Sequence, residues 1–139
     1  MPKRILFLDD DQSLLVLYRR DFSRLGYEVL IATDVSQALE VFQKSLPDAV
    51  VVDVKLTGER DGLDFLSQVL AMRRVPAVIN TAYASFRESF FSWAADAYLL
   101  KSSDLTELVQ TLERLLLSER VEGLKQRAAA PVALSAPVQ

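Results

Sequence analysis

The sequence has no histidine and no cysteine among its 139 residues. Without histidine the chain cannot build a Ser-His-Asp hydrolase centre, hold a metal through imidazole or carry a phosphohistidine of its own. Without cysteine it has no disulfide, no thiolate metal site and no thiol nucleophile, and we therefore expect an intracellular protein. Reactive and ligating groups must come from carboxylates, hydroxyls and amines.

Glycine and long apolar runs are also scarce. The four glycines are too scattered to form a phosphate-binding glycine loop, and no apolar stretch approaches the roughly 20 residues that cross a bilayer. A net charge of -3 argues against a nucleic-acid-binding surface, which normally carries clustered Lys and Arg. We expect a cytoplasmic domain without direct membrane or nucleic-acid partners.

What the chain does have is a regular alternation of short apolar runs and helical patterns up to about residue 120. Apolar runs at 5–8, 27–32, 49–52, 76–80 and 97–100 predict strands, and the segments between and after them predict five helices, the fourth and weakest over 85–95. The last three strands have no polar face, as in a parallel sheet covered on both sides. The pattern predicts one doubly wound α/β domain over residues 1–120, followed by a helix extension and Ala/Pro-rich tail over 121–139.

Three consecutive aspartates, Asp9, Asp10 and Asp11, follow the first predicted strand. Adjacent carboxylates repel one another, and hard oxygen ligands at a strand end suit Mg²⁺ better than zinc or copper. The alternative is that an aspartate caps the helix that starts near Gln12. Capping explains one of the three.

Other functional groups follow the remaining strands. In a doubly wound sheet the binding crevice lies outside the carboxyl ends of the strands, where Asp53, Thr81 and Lys101 are expected to meet the aspartates. A carboxylate beside a cation, with an ammonium and a hydroxyl nearby, is equipped to attack phosphorus and form an acyl phosphate. Asp53 is best placed as nucleophile, because it ends the middle strand alone, with Asp10 as metal ligand and Asp9 in support.

The order of these residues resembles the receiver domains of bacterial two-component response regulators, over roughly residues 3–120. The motifs that carry the resemblance are Asp9-Asp10, Asp53, Asp61-Gly62, Thr81, Tyr98 and Lys101. It implies a flavodoxin-like fold of five parallel strands in the order 2-1-3-4-5 with five helices. It also implies a switch in which a sensor histidine kinase or histidine phosphotransfer protein phosphorylates Asp53, and an output protein that the sequence does not identify.

The resemblance assigns further roles. Mg²⁺ is expected on Asp10, Asp53 and the backbone carbonyl of Lys55, with Asp9 beside it. Thr81 is expected to turn toward the phosphoryl oxygens, Lys101 to pair with them and Tyr98 to move as the readout. Lys55 and Tyr83 are expected to modulate the lifetime of the phosphorylated form. We expect no enzymatic activity beyond the chain's own phosphorylation and dephosphorylation, and a homodimer stays open.

The chain departs from the family pattern at two places. The segment from Asp53 to Asp61 is one position longer than usual, and Thr57 stands where proline is common. The usual Lys-Pro pair is Lys101-Ser102, so we predict a trans peptide, since a cis bond without proline costs about 2.5–4 kcal/mol.

Two other functions compete with the phosphoacceptor reading. One is a pseudo-receiver that binds partners without being phosphorylated. The other is a hydrolase of the haloacid dehalogenase type, whose Asp-x-Asp motif Asp9 and Asp11 would imitate. That family needs a larger chain with further acidic and basic motifs, which this sequence does not supply.

Overall fold

The computed structural model describes residues 2–56, 58, 61–82 and 95–119. Its five strands are all parallel and lie in the order β2-β1-β3-β4-β5. The strands are β1 Arg4–Leu8, β2 Glu28–Ala32, β3 Ala49–Val52, β4 Ala77–Thr81 and β5 Ala97–Leu100. The described helices are α1 Gln12–Arg24, α2 Val35–Ser45, α3 Gly62–Met72 and α4 over residues 106–119. The predicted fold class and strand order are confirmed.

Two predicted segments fall beyond this description. The fourth predicted helix lies outside the described residues except for Ala95, and so does the predicted tail over 121–139. None of the helices in the described part of the chain combines the length and the apolar character needed to cross a bilayer.

Aspartate side chains cap the N-termini of the first three helices. Asp11 accepts a hydrogen bond from the backbone of Leu14 at 3.2 Å, and Asp34 caps α2 in the same way. Asp61 begins α3 with a reciprocal capping box. These side chains satisfy backbone N–H groups that have no partner within the helix. Of the three consecutive aspartates, the cap is therefore Asp11, which leaves Asp9 and Asp10 for another role.

The sheet separates two apolar clusters. Alternate residues of β1 point to opposite sides: Ile5 and Phe7 pack with α1 and α4, whereas Leu6 and Leu8 pack with α2 and α3. The central strands β1, β3 and β4 are almost fully buried, so their carboxyl ends are anchored by packing on both faces. All five carboxyl ends meet at one edge of the sheet, where the predicted site residues lie.

Candidate functional site

Backbone hydrogen bonds extend the sheet by one residue into the site. The Asp9 N–H donates to the Ala32 carbonyl at 3.1 Å, and the Asp53 N–H donates to the Leu8 carbonyl at 2.9 Å. At the same edge, between β4 and β5, the Lys101 N–H donates to the Thr81 carbonyl at 2.8 Å. The functional side chains are thus held on backbone that is still tied to a rigid core.

Three carboxylates form a cluster at this edge. Asp9, Asp10 and Asp53 can each present one oxygen such that all three oxygens lie within 4.8 Å of one another. Asp9 is 2% exposed and Asp53 is 5% exposed. Carboxylate oxygens are the donors that Mg²⁺ prefers, so this donor set fits the expected cation.

The ammonium of Lys101 bridges two members of the cluster. Its Nζ lies 2.8 Å from Asp9 Oδ2 and 2.8 Å from Asp53 Oδ2. Burial alone would lower the pKa of Lys101, but the hydrogen bonds to Asp53 and Asp9 raise it above the usual value of 10.5. The side chain is therefore a permanent cation at neutral pH. The single positive charge of Lys101 does not offset three carboxylates, so the cluster is an attractive site for a divalent cation.

Asp9 also links the site to the start of α1. Its Oδ1 accepts a hydrogen bond from the backbone of Asp11 at 2.9 Å, while its Oδ2 contacts Lys101. Burial raises the pKa of the Asp9 carboxyl above 3.8, and the hydrogen bond from Lys101 opposes that rise. Asp9 thus lies beside Asp10 and Asp53, and its supporting role at a metal site stays a prediction.

Lys55 lies beside the phosphoacceptor candidate. Its backbone N–H donates to Asp53 Oδ1 at 3.3 Å, and the residue is exposed. The role of its carbonyl as a metal ligand stays a prediction, as does the role of Tyr83, which lies outside the described residues.

The two switch candidates lie on adjacent strands. Thr81 ends β4 and is fully buried, and Tyr98 is half-buried in β5 opposite Ile79, packed against the cluster on the α2 and α3 side. The structure places Thr81 at the edge that carries Asp53. No described peptide bond is cis, so the predicted trans peptide between Lys101 and Ser102 is confirmed.

Gly62 explains part of the Asp61-Gly62 motif. A Cβ atom at this position would lie 2.0 Å from the backbone oxygen of Asp53 and 2.5 Å from the side chain of Val52. The Gly62 N–H donates to the Val54 carbonyl at 3.1 Å. The first turn of α3 therefore packs directly on the backbone that carries Asp53, at a distance that only glycine allows.

Sequence reasoning missed one pair near the site. The side-chain amide of Asn80 donates to the hydroxyl of Tyr18 at 2.7 Å, inside the layer that α1 and α4 cover. The available signal was Asn80 itself, because a polar side chain at the end of an otherwise apolar buried strand needs a hydrogen-bond partner.

A doubly wound sheet with an acidic cluster and a lysine at its carboxyl edge defines a class of domain, and comparison with known proteins identifies it. The family model described as the response regulator receiver domain matches residues 5–113. The chain belongs to this family.

Individual relatives support this assignment. The chain is 37% identical over 119 residues to response regulator MprA of Mycobacterium sp. (strain KMS), a match that covers 84% of this chain and 51% of the relative. It is 32% identical over 120 residues to transcriptional regulatory protein PdtaR of Mycobacterium tuberculosis (strain H37Rv), with 81% and 56% covered. The chain thus spans about half the length of these curated relatives.

Solved structures agree. The response regulator TrrA from Thermotoga maritima, in complex with Mg(2+)-BeF, has a TM-score of 0.76 at 31% identity, with 81% of this chain and 98% of that chain covered. A CheY-like receiver domain protein from Methanospirillum hungatei JF-1 has a TM-score of 0.81 at 29% identity, with 88% and 99% covered.

Proposed function

We propose that the chain accepts a phosphoryl group on Asp53 from a phosphohistidine of a sensor histidine kinase or histidine phosphotransfer protein. The observation that carries the proposal is the setting of Asp53. Its carboxylate is 5% exposed, lies in a cluster with Asp9 and Asp10, and has the ammonium of Lys101 at 2.8 Å from Oδ2. A buried carboxylate at the edge of a rigid sheet, beside a fixed cation, is a positioned nucleophile.

In the proposed transfer, an Asp53 carboxylate oxygen attacks the phosphorus of the donor. The new P–O bond forms as the P–N bond to the donor imidazole breaks, and the imidazole keeps the electron pair and takes up a proton. Lys101 offsets the charge of the phosphoryl oxygens, and Thr81 supplies a hydroxyl donor from the neighbouring strand. Transfer of this kind depends mainly on position and charge compensation, which this edge of the sheet supplies.

Mg²⁺ is the proposed cofactor. Asp9, Asp10 and Asp53 would hold it, with the backbone carbonyl of Lys55 as a further oxygen ligand. The cation supplies positive charge against both the carboxylates and the incoming phosphoryl oxygens. Without it, the surplus carboxylates would repel an anionic donor.

The contacts of Lys101 support a proposed conformational switch. Its ammonium is shared by Asp9 and Asp53, so a phosphoryl group on Asp53 changes what that ammonium must neutralise. Thr81 and Tyr98 belong to the adjacent strands and are the proposed readout. We propose that the output is a phosphorylation-dependent contact with another protein, and that the chain catalyses nothing beyond its own phosphorylation and dephosphorylation.

A direct test is incubation of the protein with acetyl phosphate, with Mg²⁺ or with EDTA. We expect one acid-stable, base-labile adduct, formed only with the metal and absent from Asp53→Asn. Asp48→Asn is the matched control, because Asp48 lies at the opposite end of the sheet, and it should be labelled as wild type is. Full labelling of Asp53→Asn would refute the assignment.

Wild-type protein that is never labelled, and whose melting temperature does not respond to Mg²⁺, would instead support the pseudo-receiver. The lifetime of the adduct gives a second measurement. Lys55 adds a cation near the acyl phosphate and Tyr83 is expected to hinder attacking water, so Lys55→Ala and Tyr83→Ala should each lose phosphate faster. Equal rates in wild type and both variants would remove the modulating roles.

A further inference from the structure

One polar contact crosses the apolar layer between the sheet and α1. The side-chain amide of Asn80 donates a hydrogen bond of 2.7 Å to the hydroxyl of Tyr18, 62 residues earlier in the chain. Tyr18 is 1% exposed and Asn80 is 5% exposed. Their surroundings are apolar, including Phe22 on α1 and Val78 on β4. The contact is thus a directional bond in a region that is otherwise held by packing.

Each residue adjoins a part of the candidate site. Asn80 immediately precedes Thr81 at the end of β4. The ring of Tyr18 stacks on Phe7, with centroids 4.6 Å apart and ring planes at 22°, and Phe7 lies on β1 two residues before Asp9. The bond therefore ties the helix that follows the acidic loop to the strand that ends in Thr81.

The hydroxyl of Tyr18 also lies within the electrostatic field of the site. Burial raises its pKa, the negative charge of Asp9 raises it further, and the positive charge of Lys101 opposes the rise. The phenol stays neutral throughout the physiological range. It therefore acts as a fixed hydrogen-bonding group rather than as a titrating one.

Packing alone does not require this pair. Two apolar side chains of similar size would fill the same space without leaving polar groups to satisfy, whereas removal of one polar partner leaves the other buried and unpaired. A hydrogen bond adds what apolar contact lacks, namely a preferred distance and direction between two atoms. Here those atoms belong to α1 and to the residue next to the switch threonine.

We propose that Tyr18 and Asn80 are positioning residues, which fix the end of β4 relative to the acidic loop and thereby couple occupancy of the carboxylate cluster to Thr81. The proposal rests on the proposed function of this same site. It assigns a role in signalling to a pair that contacts neither metal nor phosphoryl group.

The test follows Thr81 directly. The chain has five threonines, so a sample labelled at threonine methyl groups gives few NMR cross-peaks, and Thr81→Ser assigns the relevant one. Wild type, Tyr18→Phe and the double variant Tyr18→Phe/Asn80→Leu are titrated with MgCl₂, and each is also melted and labelled with acetyl phosphate. Tyr27→Phe is the control, because it removes a phenol hydroxyl from the aromatic cluster around Phe22 at the amino end of the sheet, just before β2, whereas Thr81 lies at the carboxyl end of β4.

In wild type and Tyr27→Phe, the Thr81 peak should move as Mg²⁺ binds. In Tyr18→Phe the movement should fall by about half or more while the Kd for Mg²⁺ changes by less than about fivefold, the lower end of usual coupling factors. The labelling rate should fall about tenfold, since small misplacements at reacting groups are costly. The double variant should recover the melting temperature, because no polar group is left unpaired, yet keep the weak Thr81 response.

A Thr81 response that returns together with the melting temperature in the double variant would show a merely structural pair and overturn the proposal. So would a full response in Tyr18→Phe, or a wild-type Thr81 peak that ignores Mg²⁺. The titration needs no phosphoryl transfer, so unlabelled wild-type protein would count against the proposed function alone while the titration still decides this inference.

Discussion

The two ends of the sheet differ in how their carboxylates are arranged. At the amino end, carboxylates accept local hydrogen bonds: Asp48 accepts from the Arg4 backbone at 2.7 Å, and Asp96 accepts from the Ala77 backbone at 2.8 Å. Glu28 pairs with the side chain of Arg4. At the carboxyl end, Asp9, Asp10 and Asp53 lie together, and Asp9 and Asp53 share the ammonium of Lys101.

The amino end of the sheet has a structural role, whereas the carboxyl end carries the proposed functional site. At the amino end, the hydrogen bonds to Asp48 and Asp96 and the ion pair between Arg4 and Glu28 join neighbouring segments of the chain and hold the strand starts in place. The clustered carboxylates at the carboxyl end repel one another, which costs stability, and a bound cation would relieve that repulsion. The effect of a substitution at the carboxyl end on the free energy of unfolding should therefore depend on Mg²⁺, whereas the effect of one at the amino end should not.

Removal of the shared ammonium should have the largest effect. Lys101→Met leaves Asp9 and Asp53 buried without their cation, so we expect the free energy of unfolding in EDTA to fall by about 3 kcal/mol. Saturating Mg²⁺ should restore much of that loss. Urea unfolding with and without Mg²⁺ measures both effects. Lys44→Met, which breaks an exposed pair with Glu40, is the control and should cost less than about 1 kcal/mol in either buffer. An equal loss in both buffers would break the comparison.

Metal binding by the wild-type protein should come next. A ligand that binds only the native state adds RT ln(1 + [L]/Kd), about 2.7 kcal/mol at 100 times Kd. Asp10→Ala should abolish this gain, and should stabilise the metal-free protein because it relieves repulsion in the cluster. Asp11→Ala separates cap from site: it should cost about 1 kcal/mol yet keep the Mg²⁺ response. Melting curves at several Mg²⁺ concentrations would show whether the two neighbours differ as expected.

A methyl group at Gly62 should have a somewhat smaller effect on stability, together with a specific effect on the site. Gly62→Ala places a Cβ against the Asp53 backbone, so we expect a loss of about 2 kcal/mol and weaker Mg²⁺ binding. Gly26→Ala is the matched control, because its Cβ meets open space and the cost comes from a φ of +95°. Isothermal titration calorimetry should show that Gly26→Ala binds Mg²⁺ with the affinity of the wild-type protein. If both variants bind Mg²⁺ as wild type does, the packing at Gly62 does not position Asp53.

The smallest effect is expected at the amino end. Asp48→Ala removes the acceptor of the Arg4 backbone N–H and should cost about 1 kcal/mol. The cost should be the same in Mg²⁺ and in EDTA, because the change lies at the end of the sheet opposite the acidic cluster. Paired urea titrations test this, and a cost that grows in EDTA would mean that the two ends are not independent.

Much of the fold could be predicted from the sequence because apolar periodicity reports burial directly. The third and fifth strands were predicted at their observed bounds, and the remaining strand starts differ by one residue. Local chemistry accounts for such differences: Pro76 has no N–H to give to a ladder, and β4 begins at Ala77. Placement of Asp9, Asp53, Thr81 and Lys101 at one edge also followed, because parallel strands share their carboxyl end.

Contacts that depend on side-chain geometry across elements could not be predicted. No spacing in the sequence indicates that the ammonium of Lys101 lies between Asp9 and Asp53, since that depends on distances across three strands. The bond between Tyr18 and Asn80 likewise joins residues far apart in the chain. The reason for the glycine in the Asp61-Gly62 motif emerged only from the packing of α3 on the Asp53 backbone.

The division of the core by the sheet has a consequence for how the domain tolerates change. The buried residues on the α1 and α4 side and those on the α2 and α3 side form separate sets. The effects of substitutions on opposite faces on the free energy of unfolding should be nearly additive, as for sites without shared partners. A change on one face should then need no compensating change on the other. The acidic edge belongs to the backbone common to both faces. A change in the packing of one face should therefore leave the packing of the other face, and the acidic edge that both support, largely intact.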